Sequence, residues 1–238
     1  MKRSTTTFLG TSVLAMVAAA SLGAGSALAH PQPQGNGADR TVMLEADLHE
    51  LNDSGASGIA TATVRNQKIQ HIEVHAYGLT PTGPMAPHAQ HIHYGQEALN
   101  ECPTLALDAD GDGRINTVEG IPAYGPVVVS LNTTGGTTPA SFLAVDRFPT
   151  ADADGSYHYS RDNIRFTRVE GTGYTGGGGT AKQIADSIRE GEGVVVIHGV
   201  DYNGNGEYDF DAGVSELSAD LPREATDPAA CGVLEVVN

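Results

Sequence analysis

His88, His91 and His93 crowd into seven residues, "PHAQHIH" (87–93), of a chain that has nine histidines in all. Residues two apart on an extended strand point to the same side, about 7 Å from each other. His91 and His93 can therefore converge on one metal ion if a third ligand arrives from another strand. His198, in "VVVIHGVD" at the end of a strongly apolar run, is the best candidate for that third ligand. Imidazole ligation suits copper or zinc. A pair of surface histidines on a half-exposed strand satisfies H-x-H equally well, so the third ligand decides the matter.

A second pattern is acidic. "DADGDGRINTVE" (108–119) fits the calcium loop of EF-hand proteins at every coordinating position. Asp108, Asp110 and Asp112 take positions 1, 3 and 5, and Gly113 takes the sharp turn at 6. Arg114 offers its carbonyl at 7, Ile115 is the apolar residue at 8, Asn116 stands at 9, and Glu119 brings a bidentate carboxylate at 12. Calcium needs several oxygens around one point, and alternate acidic residues on a tight loop supply them. Neither "ECPTLAL" before it nor "GIPAYGP" after it reads as a helix, so a lone loop inserted in a long connection is expected. "DYNGNGEYDFDAG" (201–213) directly follows the His198 segment. Asp201, Asn203, Asn205 and Asp209 repeat the alternation, but position 12 would be Ala212. It is a weaker second calcium candidate, competing with a loop held by Asx turns. "DADG" at 152–155 reads as a turn before a strand.

The elements that must position these groups are short and rich in β-formers: 41–48, 58–66, 68–79, 88–95, 125–131, 155–167, 193–200 and 231–237. In "HIEVHAY", Ile72, Val74 and Ala76 share one face, and His71, Glu73, His75 and Tyr77 share the other. His71, His75 and also His158, in "SYHYS", read as solvent-facing; a fourth ligand from His158 and zinc capture by the other two are the minor readings. Only "AKQIADSIRE" (181–190) has helical spacing. The expected fold is all-β: an antiparallel Greek-key sandwich or barrel with one short helix, interrupted by long connections at 96–124 and 168–180. One domain is expected over 41–238.

The start of the chain reads as a secretory signal over 1–29: Lys2 and Arg3, an apolar run from Phe8, and the small-x-small site Ala27-Leu28-Ala29. A flexible leader, 30–40, follows. It begins with His30, read as an ordinary first residue of that leader; copper capture by its amine and imidazole is the minor reading. The location is then extracellular or periplasmic, with no membrane anchor once the signal is removed. The whole chain carries a formal charge of −16. Removing Lys2 and Arg3 leaves 11 basic residues against 29 acidic ones, about −18. That argues against nucleic acid and anionic lipid as partners and favours divalent cations. The only two cysteines, Cys102 and Cys231, are expected to form one disulfide in an exported chain. No nucleophile elbow, phosphate loop or H-E-x-x-H is present.

Taken together, "HAQHIHYG", Cys102 nine residues beyond His93, and the terminal "ACGVLEVV" resemble the copper/zinc superoxide dismutases. That family has an H-x-x-H-x-H strand followed by glycine, a cysteine at the same spacing, and a last strand that begins A-C-G-V-[IL]. The stretch "IQHIEVHAYGLTPTGPMAPH" resembles its preceding strand and Gly-Leu turn. The resemblance runs from about Thr41 to Asn238, the two long connections apart. It implies a superoxide-dismutase-like barrel with copper on His91, His93 and His198, and His88 as a structural histidine bonded inside the barrel. It implies a Cys102–Cys231 bond tying the first long loop to the last strand. The implied activity is dismutation of superoxide to dioxygen and peroxide. The departures are equally specific. No histidine lies between His93 and His158, so the family's bridging ligand and zinc site are missing and zinc is not expected. Pro228 stands where the family has a superoxide-guiding arginine; Arg223 is near but out of register. The alternative is a non-catalytic secreted domain similar to CHRD domains, which also carry an H-I-H strand, stiffened by calcium for binding.

Overall fold

The computed structural model describes residues 40–81, 87–171 and 177–237. The expected signal peptide (1–29) and nearly all of the leader, His30 included, lie outside the described residues. Among those described, every run rich in β-formers becomes a strand. The strands are β1 (Val42–Glu50), β2 (Ser57–Arg65), β3 (Lys68–Tyr77), β4 (Gln90–His93), β5 (Val127–Ser130), β6 (Tyr157–Arg165), β7 (Gly193–His198) and β8 (Pro228–Val236). All neighbouring pairs are antiparallel, in the order β5-β4-β7-β8-β1-β2-β3-β6. Short turns join β1 to β2 and β2 to β3, with Asn52, Asp53 and Asn66 in the left-handed region that Asn and Asp tolerate best. The connections β3–β4, β5–β6 and β6–β7 cross between the two halves of the order, which gives the Greek-key path.

Alternation decides which face is buried. Ile72, Val74 and Ala76 of β3 turn inward, and His75 and Tyr77 turn out, as the sequence pattern predicts. Leu44, Leu48 and Ile72 from one half join Ile92, Val195, Ile197 and Leu234 from the other in a single apolar cluster, so the sheet curls round a shared core. β4 and β7 differ from the rest. They are buried on both faces. The faces turned away from the core, carrying His91, His93, Val194, Val196 and His198, are covered by the long connections.

Those connections hold more helix than expected. Beside α2 (Ala181–Arg189), which buries Ile184, Ala185 and Ile188, there are α1 (Thr117–Tyr124) and the four-residue α3 (Arg223–Thr226). The expectation that no helix flanks the first acidic loop is therefore corrected: α1 leaves it directly. Gly120 and Pro122 mask α1 in the sequence. Gly120 is present for packing, since a Cβ there would lie 2.3 Å from the Tyr124 ring. Asn116 starts the helix with a capping box shared with Glu119. Cys102 and Cys231 form a disulfide that ties the β4–β5 connection to β8 across 129 residues of chain. In the chain-entropy account a closure of that length contributes about 5 kcal/mol. Among the described residues no helix is long and apolar enough to cross a membrane.

Candidate metal centre

Strand register brings the three histidines together. His91 lies opposite Val196 and His93 opposite Val194, and the His198 amide donates to the Ala89 carbonyl at 2.8 Å. All three side chains leave the same face, with His198 diagonal to His91, a separation long side chains bridge. The ring centres are 5.7 Å (His91–His93), 5.2 Å (His91–His198) and 6.4 Å (His93–His198) apart. One ring nitrogen from each lies within 4.8 Å of the others.

Each ring has its second nitrogen on a backbone carbonyl. His91 Nε2 is 3.1 Å from Phe142 O, His93 Nδ1 is 2.8 Å from Gly125 O, and His198 Nδ1 is 2.6 Å from Thr226 O. A carbonyl only accepts, so these nitrogens carry the protons and donate. His91 Nδ1, His93 Nε2 and His198 Nε2 are left as lone pairs, and all three are buried without a partner among the described residues. Burial disfavours the imidazolium form. It holds His93 down to about 3 and His198 to about 4, against weaker pulls upward from Gly125 and Thr226. Burial lowers His91 well below 6.5 as well, reinforced by the charges His198 and His93 would carry. The site is thus three neutral imidazoles with free lone pairs at neutral pH. Orphaned buried acceptors are costly, and a metal ion of the kind imidazole favours, copper or zinc, would satisfy all three at once.

The carbonyls that orient the rings come from the connections. Gly125 caps α1 at φ +82°, and a Cβ there would fall 2.4 Å from the Gly95 nitrogen, so glycine is required. Tyr124, buried beside it, packs on His93 with ring centres 4.4 Å apart. Thr226 ends α3, and its carbonyl also accepts from Thr117 Oγ1 of α1. His88 is fully buried beneath the site. Its Nε2 is 3.2 Å from Thr80 O and its Nδ1 3.0 Å from the Tyr208 hydroxyl. Burial lowers it to about 4. A neutral ring protonated at Nε2 donates to Thr80 and accepts at Nδ1 from Tyr208, which leaves the His198 carbonyl, 3.3 Å from Nδ1, without a proton from this ring.

The first acidic loop is wrapped as its sequence suggests. Asp108 accepts from Gly111 and Gly113, Asp110 from Asp112, and Asp112 from Arg114. The bonds from these amides hold Asp108 below the usual carboxylate range. Asp108, Asp110 and Asp112 bring one oxygen each within 4.8 Å of one another. Glu119 accepts from Ala109 and Asp110 through Oε1 and from Asn116 through Oε2. Asn52, in the β1–β2 turn, exchanges two bonds with the Ile115 backbone, at 2.7 and 2.9 Å.

The second loop contains a residue the sequence reading missed. Asp201 accepts from Gly204, Asn205 and Gly206, and Asn203 from Asn205. Glu224, fully buried on α3, then accepts from Tyr202 and Asp209, the second and ninth residues of the loop. Glu119 meets the equivalent residues of the first loop, Ala109 and Asn116. Glu224 stands where position 12 would be, 12 residues further along the chain than Ala212, so no local spacing could reveal it.

The remaining candidates lie elsewhere. His158 stacks on His75 on the outer face of β3 and β6, ring centres 4.2 Å apart, at the end of the strand order opposite the site. His71 on that face bonds Asp162 at 2.6 Å, which raises its pKa. Arg223 is held by Glu216 and Asp112. Over the three histidines lies a cavity of about 310 Å³ whose only charged lining residue besides histidine, among the described residues, is Asp220.

No protein-family model and no curated protein sequence matches the chain. Among solved structures it is similar to "Candida albicans Superoxide Dismutase 5 (SOD5), Cu(II)", with 16% identity over 84% of this chain and 94% of that one and a TM-score of 0.38. It is also similar to a point mutant of the same Candida albicans protein, with 14% identity over 83% and 93% and a TM-score of 0.36. Likeness at that level carries no argument about the metal centre, which rests on its own geometry.

Proposed function

We propose that this chain is an exported copper-binding protein of superoxide-dismutase-like type, with the ion held by His91, His93 and His198. The observation that carries the reading is the set of three neutral, buried, unpartnered nitrogens aimed at one point. Copper, when bound, would supply one-electron redox chemistry, for which superoxide is the substrate the sequence resemblance implies. The chain's own residues do the rest. Phe142, Gly125 and Thr226 fix the ring orientations and tautomers, and burial keeps the imidazoles unprotonated. Calcium is the second half of the reading. Asp108, Asp110, Asp112, the Arg114 carbonyl, Asn116 and Glu119 form one site, and Asp201, Asn203, Asn205 and Asp209 with Glu224 form another. Calcium would then order connections that in the resembling family are ordered by zinc.

Titration of the calcium-loaded protein with Cu(II), followed by electron paramagnetic resonance, tests the copper site. One tight equivalent with a nitrogen-rich signal, lost in His91→Ala and in His198→Ala, is expected; absence of a specific signal removes the reading. A second reading, a non-catalytic calcium-stiffened binding domain, is favoured by one observation. Arg223, the one arginine near the position that would guide superoxide, is engaged by Glu216 and Asp112. Folded, calcium-loaded protein that takes up no stoichiometric copper would select it.

A further inference from the structure

The outer face of β3 and β6 carries a second group of metal-ligating side chains, at the end of the strand order away from β4 and β7. Antiparallel register sets three pairs in a row there: His71 opposite Asp162, Glu73 opposite Ser160, and His75 opposite His158. Side chains directly opposite each other, and long ones on the next pair along, are within reach. Glu73, His75 and His158 accordingly bring one ligand atom each to within 4.8 Å of one another. Around a tetrahedral zinc ion with bonds of about 2.1 Å, such atoms stand about 3.4 Å apart. Little movement is needed, and solvent leaves room for it. Glu73 and His158 are 39% and 52% exposed, with Glu73 Oε1 already 4.0 Å from His158 Nε2. The two imidazoles lie face to face, 16° from parallel, so a turn of each ring brings a nitrogen towards the same point.

His71 supports this group and is not part of it. Its Nδ1 is 2.6 Å from Asp162 Oδ1 and its Nε2 is 3.2 Å from Glu73 Oε1. Both nitrogens face carboxylates, so His71 offers nothing to an ion, but it fixes the Glu73 side chain as outer groups orient ligating carboxylates. Two imidazoles and one carboxylate are a donor set for zinc, with a fourth position left for water. The oxygen-rich acidic loops suit calcium instead.

We propose that Glu73, His75 and His158 bind a zinc ion on the outer face of the sheet, where it clips β6, the last strand in the order, to β3. These residues are not the zinc ligands of the resembling family, which are missing after His93. The site shares no residue with the buried histidines and is independent of the copper reading.

Zinc titration calorimetry of the full-length protein in excess calcium, which competes for the acidic loops, tests the site. One zinc equivalent should weaken about tenfold or more in His75→Asn and in His158→Asn, and several-fold in Glu73→Gln. It should persist in His91→Ala, which breaks the buried set. In wild-type protein the same equivalent should shift the imidazole nitrogen resonances of His75 and His158 and leave those of His49, exposed on β1, in place. Circular dichroism confirms the native fold of each outer-face variant. Equal zinc affinity in wild type, His75→Asn and His158→Asn, or zinc uptake that leaves the His75 and His158 resonances unmoved, would each overturn the proposal. So would a zinc equivalent lost in His91→Ala and kept in His158→Asn, which would place the ion at the buried histidines.

Discussion

Copper affinity of the folded protein should be almost independent of pH across the range where ordinary histidine sites fail. A proton competes with the metal for each imidazole, so the penalty at a given pH is set by each metal-free pKa. For three exposed histidines at the ordinary 6.5, lowering the pH from about 7.5 to about 5.5 would cut the affinity by about 1000-fold, or about 4 kcal/mol. Here His93 is held to about 3 and His198 to about 4, with His91 also far below 6.5, all primarily by burial. Their lone pairs remain free at pH 5.5, and the expected fall is at most about twofold. The assay is a competitive copper titration at the two pH values, with circular dichroism confirming the native fold at both. A fall approaching 1000-fold with the fold intact would refute the claim that the three nitrogens are buried and neutral. His91→Ala supplies the reference for any remaining weak surface binding.

The same burial makes the metal-free protein acid-sensitive. His88, His91, His93 and His198 all have folded pKa values below the unfolded one, so the unfolded chain binds more protons and stability falls as pH drops below about 6.5. Each should cost about 1.4 kcal/mol by pH 5.5, while Asp227, raised by burial to about 7, returns about 2 kcal/mol with the opposite sign. Denaturant melts of metal-free protein should show a net loss of about 3.5 kcal/mol, and His88→Gln should show a shallower pH slope than wild type. Glu119→Gln and Glu224→Gln should each weaken one calcium equivalent by about tenfold or more in calorimetry; an unchanged second equivalent in Glu224→Gln would remove Glu224 from that loop. Replacing both Cys102 and Cys231 by Ala should lower stability by about 2–5 kcal/mol in denaturant melts with no new copper stoichiometry. His158→Ala should leave the copper spectrum untouched, since His158 packs on His75 on the opposite outer face.

Strands were legible because their signal is local. In β3, Ile72, Val74 and Ala76 alternate with polar residues, and β7 reads as an unbroken apolar run because it is buried on both faces. The candidate copper ligands were legible for the same reason, since strand periodicity alone puts His91 and His93 on one side. What the sequence hid was everything decided by contact between distant segments. α1 carries Gly120 and Pro122, which argue against helix, and it is stabilised by the Asn116 cap and by packing of Tyr124. Asn52 completes the first acidic loop from 63 residues away. The apolar cavity also has no sequence signature, because its two walls, Phe142–Leu143 and Phe210–Leu221, are far apart in the chain.

The two acidic loops reach the histidine centre through the backbone carbonyls of Gly125 and Thr226. The first loop leads without a break into α1, whose terminal Gly125 offers its carbonyl to His93. Glu224, which closes the second loop, is two residues before Thr226, whose carbonyl accepts a hydrogen bond from His198 Nδ1. Thr117, at the start of α1, donates to that same Thr226 carbonyl and so links the two supports. Each loop thus ends one short helix away from a group that fixes a ring. If cations draw Glu119 and Glu224 into their loops, both carbonyls are held in place before a metal reaches the histidines. Copper should therefore bind more weakly to calcium-stripped protein, and linkage requires calcium to bind more tightly, by the same factor, once copper is present. Equal copper affinity with and without calcium would show that the strands alone hold the site, with the loops serving only the outer surface.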